Sequence, residues 1–168
     1  QQMAQNLKAY VKEINGLVYR DGLTGVKNKT YYYEYIKSLS EEAQKQPYTI
    51  VVFKVTGLAG VNKTRGRKCG DELIVTACGI ICRVFSHSPI FRIGGDEFVA
   101  FLKGNDYMKC GELLREFEDL SSDVTLVGAP DIAVRIVYGT AQSADGTEPY
   151  EEVFCRADEE KEQKKKGM

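Results

Sequence analysis

Two apolar runs meeting at a pair of glycines limit what this chain can fold into more than any other feature. Residues 91 to 102 begin Phe91-Arg92-Ile93-Gly94-Gly95-Asp96-Glu97-Phe98 and continue Val99-Ala100-Phe101-Leu102. β-Favouring residues on both sides of Gly94 and Gly95 predict a tight antiparallel hairpin, because the favoured hairpin turns need positive φ and glycine adopts it without strain. Asp96 and Glu97 then stand at the tip, beside backbone that carries no side chain. A phosphate can approach such backbone closely, and a divalent cation can bridge it to the carboxylates. The plain alternative is a surface hairpin with an acidic end.

The remaining segments supply partners for this hairpin. Thr49 to Val55 is β-branched and apolar nearly throughout, as in a strand buried on both faces. Residues 57–70 read as irregular and glycine-rich, with room for a short helix. Asp71 to Val84 has helical periodicity through Leu73, Ile74, Ala77, Ile80, Ile81 and Val84. A helix over about 107–120, a strand over 131–141 and a closing helix over 149–166 follow. Asn28 is placed to cap a helix running to about Gln44, with Tyr32, Tyr35, Ile36 and Leu39 as its apolar face. The order predicts an α+β fold with a βαββαβ core of ferredoxin-like or polymerase-palm type. Its sheet is mainly antiparallel, with helices packed on one face. In that topology the first strand lies beside the hairpin, so the end of residues 49–55 converges with Asp96 and Glu97.

At 168 residues the chain is long enough for one substantial core. Lysine plus arginine is 23 against 24 for aspartate plus glutamate, which gives no global pull toward nucleic acid or anionic membrane. No stretch has the unbroken apolar length of a transmembrane helix, so direct membrane insertion is not expected. The five cysteines have no zinc-knuckle spacing and read as reduced thiols of a cytoplasmic domain. His87 is the only histidine, which disfavours multi-histidine metal sites and a serine–histidine–aspartate triad. Residues 3 to 18 carry Met3, Leu7, Tyr10, Val11, Ile14, Leu17 and Val18 at helical spacing. This amphipathic stripe suits a linker helix, cut from a larger protein, that pairs with a second copy.

Three separated segments carry a family likeness. They are Asp21-Gly22-Leu23-Thr24-Gly25-Val26-Lys27-Asn28-Lys29, the stretch from Val61-Asn62 through Gly70-Asp71-Glu72-Leu73, and Arg92-Ile93-Gly94-Gly95-Asp96-Glu97-Phe98. In order and separation they resemble the motifs of GGDEF domains, the diguanylate cyclase family, and Ala157-Asp158 is a weaker match to the family's closing helix. The resemblance divides the chain into a linker or signalling helix, residues 1–18, and a GGDEF domain, residues 19–168. It implies condensation of two GTP molecules to cyclic di-GMP and pyrophosphate by a homodimer, under an upstream sensory or regulatory domain. The setting it implies is cytoplasmic, free or as the cytoplasmic part of a membrane-anchored protein. Carried over by position, Asn62 and Asp71 read the guanine edge, and Gly94 and Gly95 receive the phosphates. Lys165, or Lys164 in a shifted register, meets the terminal phosphate. Asp96 and Glu97 are the implied catalytic and metal-binding pair for Mg²⁺ or Mn²⁺.

Departures from the family pattern cluster at the metal. Lys54 and Thr56 stand where the family has aspartates, and no carboxylate lies between residues 48 and 62. An ammonium at Lys54 repels Mg²⁺ and can pair with Asp96, at about 4 kcal/mol for unit charges 4 Å apart at an effective dielectric of 20. Glu160-Lys161-Glu162 replaces an apolar segment of the closing helix, and the R-x-x-D of a product-inhibition site falls on Phe85-Ser86-His87-Ser88. Two alternatives to a cyclase therefore stand open: a module that holds GTP without cyclising it, and a dimerisation domain with an empty pocket.

Overall fold

The computed structural model describes residues 1–167 apart from the side chain of Asn15. Met168, the last residue of the second predicted segment, lies outside the described residues. The chain opens with α1 (Gln2–Tyr19) and α2 (Lys29–Glu41). Asn28 joins them: its Oδ1 accepts the Tyr31 N–H at 3.0 Å as the α2 cap, and its Nδ2 donates to the Val18 carbonyl at 2.6 Å. Then come β1 (Tyr48–Val55), α3 (Leu58–Arg65) and α4 (Arg67–Val84). The hairpin is β2 (Ile90–Arg92) and β3 (Glu97–Lys103). After it stand α5 (Asn105–Met108), α6 (Cys110–Ser121), β4 (Ile136–Ser143) and α7 (Tyr150–Lys166).

The strands form one sheet in the order β2-β3-β1-β4, antiparallel throughout. This is the expected βαββαβ topology with β1 central. Helices cover both faces of the sheet, which corrects the expectation of one. Residues alternate along β1: Val51, Phe53 and Val55 join α4 and α6 in one core, while Ile50 and Val52 face a second core containing Tyr32 of α2 and Val153 and Ala157 of α7. The physical reason lies in β1 itself, whose apolar residues fill both sides of the pleat and require two covers.

Boundaries also differ: α2 ends at Glu41 rather than near Gln44, and α3 with the first turn of α4 makes most of residues 57–70 helical rather than irregular. The predicted helix over 107–120 is a short turn and then α6, and the Gly104 φ of +63° sets the break in front of them. The strand expected over 131–141 begins only at Ile136; before it, Thr125 and Ala133 make an isolated bridge. Cys78 and Cys82 lie one helical turn apart with sulfurs 3.8 Å from each other, and all five cysteines are free thiols. Met3, Leu7, Tyr10 and Leu17 on α1 are exposed. Among the described residues no helix is long and apolar enough to cross a membrane.

Candidate functional site

The end of β1 meets the hairpin turn as the topology predicts. Lys54 lies opposite Glu97 in register, and the Val55 N–H donates to the Asp96 carbonyl at 2.9 Å. Residues 93–96 form the turn, closed by the Ile93 N–H on the Glu97 carbonyl at 3.0 Å. Neither Gly94 nor Gly95 has positive φ. The tight turn expected from the glycine pair is thus replaced by a longer one, which spreads the reversal over more residues. A Cβ at Gly95 would meet nothing within 4 Å, and one at Gly94 would only touch the Glu97 Cβ at 3.6 Å. The chain leaves both positions sterically open.

A brace from the start of the domain holds this turn. The Arg92 Nη1 donates to Asp21 Oδ2 at 3.0 Å, and its Nη2 donates to the Gly95 carbonyl at 2.7 Å. Asp21 also accepts the Thr24 N–H at 2.9 Å and the Thr24 hydroxyl at 2.7 Å. Partial burial opposes the Asp21 charge, but the bonds from Thr24 and Arg92 outweigh it and hold the carboxyl below its ordinary range.

Both signature carboxylates face lysines. The Lys54 ammonium lies 3.5 Å from Asp96 Oδ2 and 3.7 Å from Glu97 Oε1. Lys161 reaches Glu97 Oε1 at 3.1 Å, Asp158 Oδ1 at 2.7 Å and Glu162 Oε1 at 3.5 Å. It is 1% exposed. Its position follows from α7, whose buried residues are Tyr150, Val153, Ala157 and Lys161. That face lies against β4 so closely that a Cβ on Gly139 would stand 2.0 Å from the Ala157 carbonyl and 2.4 Å from the Lys161 nitrogen. Burial disfavours the Lys161 charge, yet its bonds to Asp158 and Glu97 prevail and raise its pKa above the ordinary lysine value.

Gly66, whose φ of +92° turns α3 into α4, brings Asn62 of α3 against Gly70 of α4, the residue before Asp71. Asn62 lies over Gly70, where a Cβ would be 1.7 Å from Asn62 Oδ1. That oxygen is buried and has no hydrogen-bond partner among the described residues. A buried carbonyl left so costs about 1–3 kcal/mol until a donor reaches it. Asp71, half-buried at the start of α4, enters no ion pair among the described residues. Lys165 is exposed one helical turn beyond Lys161, whereas Lys164 is engaged by Glu160 at 3.5 Å and by the Tyr138 ring at 4.0 Å.

The implied divalent ion fits poorly here. Its donor set is Asp96 and Glu97, each already held by an ammonium, and the end of β1 offers Lys54 and Thr56 in place of a third carboxylate. Mg²⁺ needs near-octahedral oxygen donors at about 2.0–2.1 Å. Among the described residues no group of three His, Cys, Asp or Glu side chains is arranged to hold a metal. Sequence reasoning places neither Lys161 nor the Asp21–Arg92 brace in the site. The signal for Lys161 was its spacing from Tyr150, Val153 and Ala157, which puts a charge on the apolar face of α7.

The profile of the family described as "Diguanylate cyclase, GGDEF domain" matches residues 18–168. A probable diguanylate cyclase of Escherichia coli, DgcT, is 29% identical over 147 residues, covering 84% of this chain and 32% of that protein. The diguanylate cyclase DgcS of Shewanella oneidensis is 35% identical over 88 residues, 51% of this chain and 30% of its own length. The chain thus spans about a third of these relatives. Among solved structures, the coiled coil and GGDEF domain of DgcB from Caulobacter crescentus, in complex with c-di-GMP, superposes with a TM-score of 0.83 at 22% identity. That match covers 99% of this chain and 90% of the other. The diguanylate cyclase SiaD of Pseudomonas aeruginosa, solved with its activator SiaC, gives a TM-score of 0.76 at 26% identity over 99% of this chain and 64% of the other. From its motifs, its palm-like sheet and its relatives, the chain belongs to the GGDEF domain family of the diguanylate cyclases.

Proposed function

We propose that this chain is the guanine-nucleotide-binding GGDEF part of a longer signalling protein, acting in cyclic di-GMP metabolism. The observation that carries the reading is Asn62, whose buried carbonyl oxygen has no partner among the described residues and lies against Gly70, the residue before Asp71. Guanine presents N–H donors at N1 and N2, which the Asn62 oxygen and the Asp71 carboxylate match. The triphosphate lies toward the open backbone at Gly94 and Gly95, with Lys165 at its far end. The reaction that family membership points to joins two GTP into cyclic di-GMP. Each 3′-oxygen bonds to the α-phosphorus of the other nucleotide, and two pyrophosphates leave. One nucleotide comes from each protomer of a homodimer, and the exposed stripe of α1, residues 1–18 serving as the linker helix, supports the pairing. The working location is the cytoplasm, under an input domain outside this chain.

One observation favours a second reading, in which GTP is held without turnover: ammonium groups stand on both signature acids. The deciding experiment is incubation of concentrated chain, alone and forced to dimerise, with GTP and Mg²⁺ or Mn²⁺, followed by anion-exchange separation. Cyclic di-GMP that disappears in Asp96→Ala establishes the cyclase. Saturable GTP binding without product establishes the holding module. Absence of GTP binding in any buffer, with the domain folded, sinks both.

A further inference from the structure

We propose that this site carries its cation within the chain: the Lys54 and Lys161 ammonium groups occupy Asp96 and Glu97 in place of a divalent ion, and a guanine nucleotide binds here without one. The second clause rests on the GTP reading given above; the first stands without it.

The geometry makes the replacement a built feature. Lys54 comes from β1, whose backbone is paired with β3 on one side and β4 on the other. Lys161 comes from the face of α7 that presses on Gly139, and its ammonium sits among Glu97, Asp158 and Glu162. A buried ammonium is tolerated only where carboxylates compensate its lost hydration. Here three do so, and the central one is the second acid of the signature. A metal ion on Glu97 Oε1 would share that oxygen with Lys161 at 3.1 Å and Lys54 at 3.7 Å, facing like charge from two directions. Lys161 is buried and held by this group of carboxylates. Lys54 is the less buried member of the pair, at 21% exposure, and is the group that can turn toward a phosphate.

The ammonium groups on Asp96 and Glu97 also lessen the repulsion that bare carboxylates would exert on a triphosphate. In an acidic two-strand site that task otherwise falls to metal ions. The same two lysines therefore exclude one ligand and admit another. Their separate origins, a strand and the closing helix, make the site dependent on α7 being docked.

The test uses the 168-residue chain and two probes. Mn²⁺, followed by electron paramagnetic resonance with and without nucleotide, reports on the acids directly. A fluorescent guanine nucleotide reports binding in chelator or in Mg²⁺. For the wild type, no Mn²⁺ should bind at the acids, and nucleotide affinity should differ by less than about twofold between chelator and Mg²⁺. The K54D/K161L variant should take up Mn²⁺ and gain at least about tenfold in nucleotide affinity when Mg²⁺ is added. Lys161→Met keeps an unbranched chain in the buried position and replaces the leucine variant if that one fails to fold. Mn²⁺ bound by wild type and lost in Asp96→Ala would overturn the proposal, as would a folded double variant that still binds none. If no nucleotide binds under any condition, the GTP reading fails while the Mn²⁺ arm still decides who holds the acids.

Discussion

Gly70 has no side chain, and the space is filled by the Asn62 amide, whose oxygen remains unpartnered. Gly70→Ala places a methyl group where that oxygen lies, so the amide must leave. Because alanine favours a helix interior over glycine, the fold should change by less than about 1 kcal/mol. GTP affinity should fall at least about tenfold, or 1.4 kcal/mol, in nucleotide titrations run beside denaturation curves. Unchanged affinity would separate Asn62 from guanine. Asp21 offers a test by pH. Its carboxyl titrates lower in the folded chain than in the unfolded one, so its contribution is complete above the ordinary carboxylate pKa of about 3.9. It is lost as pH falls through the lower folded value. Asp21→Asn should cost about 1–3 kcal/mol in urea unfolding at neutral pH, with the gap closing in acid. At this scale the motif residues were legible because their types and spacing name a chemistry. Lys161 was legible only as a departure. Whether a lysine on an apolar face reaches solvent or is sealed among carboxylates depends on the approach of α7 to β4, which no local pattern encodes.

Among the elements, α7 depends most on a single position elsewhere. Gly139 on β4 lets the backbone at Ala157 and Lys161 come within van der Waals reach of the strand. Gly139→Ala meets backbone atoms rather than a flexible side chain, and no rotamer change relieves it. We expect a loss of about 3 kcal/mol or more by urea unfolding, at the upper end for overpacking. Gly95→Ala is the control, since nothing lies within 4 Å of the added carbon; stability should hold within about 0.5 kcal/mol. The strongly periodic elements β1, β3 and α4 were readable from sequence, and so was the Asn28 cap of α2. The start of β4 was not. Ile132 and Val134 alternate as in a strand, but the neighbouring positions on β1 are used up at Val55 pairing with Ile136. Pairing partners, not alternation, set that boundary.

For the whole molecule, the unanswered surface is α1. Met3 is 84% exposed, Leu17 78% and Leu7 63%, an apolar run that water penalises until another surface covers it. The Leu7→Glu/Ile14→Glu variant should abolish self-association in sedimentation experiments while leaving the melting temperature of the domain nearly unchanged. A dimer seen in both wild type and variant would place the contact elsewhere. The strand order was legible from the sequence of elements, whereas the cover on both faces was not. That second layer is assembled from α2 and α7, which come from opposite ends of the chain, so no window of sequence contains it. The central strand β1 has paired neighbours on both edges and helices on both faces. Its amide protons should be among the last to exchange with deuterated water, opening only when the domain unfolds as a whole. Lys54 belongs to that strand, so the charge presented to Asp96 should be released only when the domain opens as a whole.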